Sequence, residues 1–130
     1  MSSLSVRFRV DFGRNEAVGP GKVTLLEHID ECGSLSQAAR ELGMSYRRAW
    51  QLLESLNVTF RLPVATTSVG GRGGGGAALT AFGRDLIKSY RAFDAEVQTR
   101  ANRHFKAFAR QAGRERSRRQ AAPVVRMSDR

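Results

Sequence analysis

Ser45-Tyr46-Arg47-Arg48-Ala49-Trp50-Gln51 gathers hydroxyl, guanidinium and amide groups into two turns of a helix. On the first turns of such a helix these groups can reach base edges in a DNA major groove, where one bidentate arginine-guanine contact is worth about 1–3 kcal/mol of discrimination. Ser45, Tyr46, Arg47 and Gln51 are the candidates for base contact. Arg48 and Lys22 suit phosphate positioning, as do Ser36 and Gln37 at the start of another helix. Arg72 stands among glycines, where it can enter a minor groove or lie along phosphates. Covalent chemistry has no comparable candidates: no nucleophile-base pair is recognisable, and His28 and His104 lie far apart without ligand-spaced cysteines or carboxylates. The glycine run lacks the Lys-Ser/Thr ending of a Walker phosphate loop. No catalytic residue, metal or cofactor is expected.

The elements that must hold these groups run from Ser34 to Leu56. Ser34 opens a helix as a capping box, accepting from the Gln37 N–H while the Gln37 side chain returns to the Ser34 N–H. Leu35, Ala38, Ala39 and Leu42 follow on one face. Gly43 supplies a sharp turn with φ > 0, and Ser45 caps a second helix that buries Ala49, Leu52 or Leu53, and Leu56. Arg47, Arg48, Gln51 and Glu54 are left for other faces, while the apolar bulk of Trp50 suits the core beneath the helix. Ala39 and Ala49 let the two helices cross closely, and the pattern reads as a helix-turn-helix. Helix-glycine-helix also occurs as an ordinary helical hairpin, so the surrounding chain has to decide.

The chain has 130 residues, enough for one small core plus an appendage. Lys and Arg number 22 against 12 Asp and Glu, a formal charge of +10 that favours a polyanion or an anionic membrane surface over a cationic ligand. No run of about 18 uncharged apolar residues occurs, and no basic segment precedes an apolar one at the N-terminus, so neither a span nor export is expected. The single cysteine, Cys32, excludes an internal disulfide and fits a reducing cytoplasm; it reads as a small buried residue on a helix face.

Leu4 to Phe12 alternate strictly between apolar and polar residues, the pattern of a half-buried strand whose partner is expected between Phe60 and Leu79. A turn-rich bridge, Gly13 to Gly21, leads through Pro20 into a helix with Leu25, Leu26, Ile29 and Cys32 on one stripe, ending near Gly33. After the helix-turn-helix, Leu62 to Val69 and Ala77 to Leu79 make a hairpin around the glycines of Gly70 to Gly76. Such a run also suits a floppy linker, and Arg72 tilts the reading toward contact. From Thr80 as N-cap, Phe82, Leu86, Tyr90, Phe93, Val97, Ala101, Phe105, Phe108 and Ala112 recur at steps of three and four. One helix from Ala81 to Ala112 would reach roughly 45–50 Å, beyond what so small a core can cover. Phe82, Leu86, Tyr90, Phe93, Val97, Phe105 and Phe108 are therefore expected to pack on the same helix of a second copy, giving a homodimer; folding back onto its own domain is the competing arrangement. Gly113 to Arg130 hold six arginines against Glu115 and Asp129, leaving +6 of the total +10 on the rest of the chain. That composition reads as a disordered basic tail.

These elements assemble into a mainly α fold: a winged helix-turn-helix with a small β-sheet over residues 1–79, a long dimerisation helix over 80–112, and the tail over 113–130. Gly33-Ser34-Leu35-Ser36-Gln37-Ala38-Ala39, Gly43-Met44-Ser45-Tyr46, Ala49-Trp50, the glycine run through Ala77, and Leu79-Thr80 with Gly83 resemble the N-terminal DNA-binding domain of the molybdate-responsive ModE regulators. A more distant likeness to LysR-type regulators covers the helix-turn-helix and Leu79-Thr80-x-x-Gly83. The resemblance implies a dimeric transcription factor with its recognition helix in the major groove and its wing near the backbone or minor groove, and it places Trp50 beside the DNA-facing side. Two departures stand out. ModE regulators sense molybdate through C-terminal modules, and this chain ends before one could begin, so molybdate is not expected on it. Pro63 to Ser68 also differ from the acidic-basic strand usual in the family. The expected function is a cytoplasmic, sequence-specific regulator of double-stranded DNA without membrane association; the competing class is a winged-helix protein-interaction adaptor with only non-specific DNA affinity.

Overall fold

Pro20 stands in the first turn of α1 (Pro20–Cys32), where its missing N–H is no loss, and Gly33 closes that helix at φ 70° with its N–H on the Ile29 carbonyl at 2.8 Å. The computed structural model describes residues 4–68 and 75–112. It divides into a unit Arg7–Asp94 and a second one that joins the N-terminal residues through Val6 to the chain from Ala95 onward. Arg72 and the tail from Gly113 lie outside the described residues.

In the first unit, α2 (Leu35–Glu41) and α3 (Tyr46–Thr59) follow α1 as expected. Ser34 Oγ accepts from the Gln37 N–H at 3.1 Å. The return arm of the box does not form, because Arg40 and Glu41, three and four residues on, offer charged partners that engage the Gln37 amide at 2.7 and 3.1 Å. Gly43 takes φ 69°, a left-handed turn that a side chain would strain. Ser45 then caps α3, accepting from the Arg48 N–H at 3.0 Å. Ala38, Ala39 and Ala49 are buried where the helices meet, and Leu53, with Leu52 only half-buried, completes the inner stripe of α3 with Leu56. Val23, Leu25, Leu26 and Ile29 form the α1 side of this core, each worth about 1.5–3 kcal/mol by burial. Cys32 is only half-buried, its thiol directed to the Ser34 carbonyl at 3.3 Å.

The wing is the antiparallel pair β3 (Ala65–Ser68) and β4 (Gly76–Leu79), in the register Ala65↔Leu79 to Ser68↔Gly76. Asn57 at the end of α3 holds its base: Oδ1 accepts from the Val64 N–H at 2.7 Å and Nδ2 donates to the Ala65 carbonyl at 3.3 Å. The Ala77 N–H donates to the Gly33 carbonyl at 3.0 Å, hitching β4 to the end of α1.

The N-terminal strand departs from expectation. Only Val10–Asp11 (β1) is paired, and its partner is Ala17–Val18 (β2) inside the supposed bridge, in a sheet separate from the wing. Asn15 closes that hairpin at φ 65°. The alternation survives as burial from Leu4 to Val10, yet the Val6 and Phe8 backbone is bonded by side chains and not by a neighbouring strand. The Tyr90 hydroxyl donates to the Phe8 carbonyl at 2.9 Å, and the Phe8 ring stacks on Tyr90 with centroids 4.9 Å apart. Phe12 turns outward, half-exposed, against the edge of Phe60.

The helix α4 (Ala81–Ala112) starts as the periodicity predicts. Thr80 Oγ1 accepts from the Gly83 N–H at 3.0 Å and donates to the Pro63 carbonyl at 2.7 Å, while the Thr80 N–H reaches the Val64 carbonyl. A Cβ at Gly83 would run into that same Val64 carbonyl, so the close start of the helix requires glycine. Arg91 forks onto Glu27 of α1 with two bonds of 2.8 Å. Along the expected stripe Phe82 and Leu86 are half-buried, Tyr90 is buried and Phe93 is exposed.

In the second unit the Gln98 amide brackets Val6, accepting from its N–H and donating to its carbonyl, both at 2.9 Å. Val97 is half-buried and Ala101 buried, whereas Phe105 and Phe108 are exposed, with ring centroids 6.2 Å apart. Among the described residues no helix is long and apolar enough to cross a membrane.

Candidate nucleic-acid interface

At 100° per residue, the buried stripe Ala49, Leu53 and Leu56 fixes which residues of α3 face outward. Two rows result, Tyr46 with Trp50 and Arg47 with Gln51, each pair one turn apart and all four exposed. They line a shallow cavity of about 370 Å³. Trp50 is thus not in the core, as its bulk suggested: it is 47% exposed, because one step from Ala49 carries it off the inner stripe. The resemblance placed it on the outer side, where it lies. The signal that could have found it is the helical register set by Ala49 and Leu56.

Arg47 and Arg48 are exposed, and among the described residues neither takes part in an ion pair. Ser45, also exposed, uses its oxygen to cap the helix that carries them. Lys22 is held beside α3: its Nζ donates to the Ala17 carbonyl at 2.7 Å and to Ser55 Oγ at 2.9 Å, tying β2, α1 and α3 together. Burial, and then the neighbouring Arg48 charge, hold its pKa below the usual lysine value. Two of its three donors are committed, and it borders a cavity of about 450 Å³ shared with Arg9, Asp11, Gly13, Asn15 and Ala17.

Ser36 is exposed at the start of α2, its oxygen 3.4 Å from that of Ser34. Gln37 is engaged with Arg40 and Glu41. The structure therefore brings together Ser45, Tyr46, Arg47, Arg48 and Gln51 on one short segment, with Lys22 joined to it through Ser55. The wing adds residues that motif reading did not single out: Thr66, Thr67 and Ser68 are exposed and line a cleft of about 300 Å³ with Gly33 and β4. Hydroxyl-bearing residues in the first arm of the hairpin were their sequence signal.

Residues 21–84 match the family of bacterial regulatory helix-turn-helix proteins of the lysR type. This segment is similar to the LysR-type regulatory helix-turn-helix domain. The chain is 45% identical over 80 residues to the molybdenum-pterin-binding protein MopB of Rhodobacter capsulatus, covering 62% of this chain and 30% of that protein. The molybdenum transport protein ModE of Azotobacter vinelandii is 34% identical over 97 residues, 75% of this chain and 36% of its own. The DNA-binding transcriptional dual regulator ModE of Escherichia coli K12 is 39% identical over 82 residues, 63% and 31% of the two chains. The likeness to ModE regulators read from the motif residues is borne out, and the chain spans about a third of the length of these curated relatives.

Proposed function

We propose that this chain is a dimeric transcriptional regulator that binds double-stranded DNA in a sequence-specific way in the cytoplasm. α3 enters the major groove, with Ser45, Tyr46, Arg47 and Gln51 on base edges. Arg48, Lys22 through its remaining donor, Ser36 and Gln37 hold phosphates, and Arg72 reaches the backbone or minor groove from the wing. Residues 1–79 act as the DNA-binding head, 80–112 as the pairing helix through Phe93, Phe105 and Phe108, the exposed part of the expected stripe, since Phe82, Leu86 and Tyr90 pack on the chain's own core, and 113–130 as a basic extension that adds salt-sensitive affinity. The observation that carries the reading is the outer face of α3, where two exposed arginines lack carboxylate partners among the described residues, on a domain of LysR type.

Selection of bound sites from random duplex DNA tests it. An inverted repeat with half-sites about one helical turn apart is the expected result, and binding should fall steeply with salt. Recovery of no preferred sequence would refute it. The exposed Phe105 and Phe108 favour a second reading, an adaptor that pairs its helix with another protein; that reading requires a monomer in sedimentation and equal affinity for every duplex.

A further inference from the structure

Tyr46 and Trp50 are 54% and 47% exposed, one turn apart on the same side of α3. Large rings left adjacent on a small domain mark a surface meant to be covered. The cavity they border is completed by Arg47 and Gln51, and no acidic side chain lines it. In the major groove those two neighbours have natural purine partners, guanine for arginine and adenine for glutamine. One base feature is left that hydrogen bonding does not read. It is apolar: the C5-methyl group of thymine.

We infer that Tyr46 and Trp50 form a two-ring slot for a thymine methyl group, beside the purines bonded by Arg47 and Gln51; the inference rests on the groove-reading function proposed above. A phosphate would gain nothing from this slot, and the minor groove presents no methyl group to fill it. The bound sequence should therefore contain thymine at one or two fixed positions of each half-site.

The test uses the full chain and its selected duplex, with each thymine in turn replaced by deoxyuridine, which removes only the methyl group. Binding should weaken about fourfold at one or two thymines per half-site, the factor for one buried methyl group. In Trp50→Ala or Tyr46→Ala that difference between thymine and uracil should vanish, measured at lowered salt so that phosphate contacts keep the complex measurable. Both variants should keep the parent's helical circular-dichroism spectrum and a cooperative thermal melt, which a misfolded variant would not show. Indifference to uracil at every thymine of a preferred duplex, or a difference that persists in both variants, overturns the slot and leaves groove reading standing. Equal binding of selected and scrambled duplexes overturns groove reading itself.

Discussion

α2 and α3 are the two arms of one motif, yet their outer faces are finished differently. On α2, Arg40 donates to Gln37, Gln37 donates to Glu41, and Glu41 lies 3.9 Å from the His28 ring of α1. On α3, the side chains of Arg47, Arg48 and Gln51 hold no hydrogen bond or ion pair among the described residues. Surface pairs spaced three and four apart contribute about 0.2–0.5 kcal/mol each to their own helix. A face bonded to itself therefore braces the motif, and one whose donors are left to water can exchange water for a ligand with little to break.

The largest effect should come from abolishing the contrast altogether. Ala49→Leu overfills the crossing of α2 and α3, where Ala49 is fully buried, and should cost about 1–3 kcal/mol and depress the melting temperature together with binding to any duplex. An unchanged thermal melt would refute the shared crossing. Next, Arg47→Ala should erode the preference for cognate over random duplex by about 1–3 kcal/mol, while Arg40→Ala on α2 leaves that preference intact; binding competition measures both, and equal losses would erase the distinction between the faces.

Removing the two caps sharpens the comparison at a smaller scale. Ser34→Ala and Ser45→Ala should each cost about 1 kcal/mol in denaturant titration, but only Ser45→Ala should also weaken cognate binding at fixed folded fraction. The smallest effect lies outside both arms and serves as their control. Burial, followed by the Asp94 charge, raises the Tyr90 pKa above its ordinary value of 10, so the fold keeps the phenol protonated where the unfolded chain has begun to lose the proton. This contribution is fully present below pH 10 and is lost as pH rises through the raised value. Tyr90→Phe should flatten the alkaline fall in melting temperature without altering sequence preference at neutral pH.

The helices were legible because their signals are local. Pro20 and Gly33, Ser34, Gly43, Ser45 and Thr80 mark the turns within a residue, and α4 runs over the predicted Ala81–Ala112. The N-terminal strand was misread because alternation reports two faces and not what covers the backbone. Tyr90 bonds to Phe8 from 82 positions away and Gln98 to Val6 from 92, separations invisible to any window of periodicity. Of the interface, the groups on the first turns of α3 were readable from their types. Trp50 was not, since bulk and register gave opposite answers and register prevailed. The competition for Gln37 was likewise hidden until Arg40 and Glu41 could be seen to reach it.

Gly33 lies between α1 and the helix-turn-helix and reaches the hairpin as well: its amide finishes α1 and its carbonyl takes the Ala77 amide. The wing and the helix-turn-helix that opens at Ser34 are thereby gauged from a common datum, like the jaws of a caliper fixed to one beam. On the proposed function, a duplex wider or narrower than that gap would have to flex this joint before either jaw could seat.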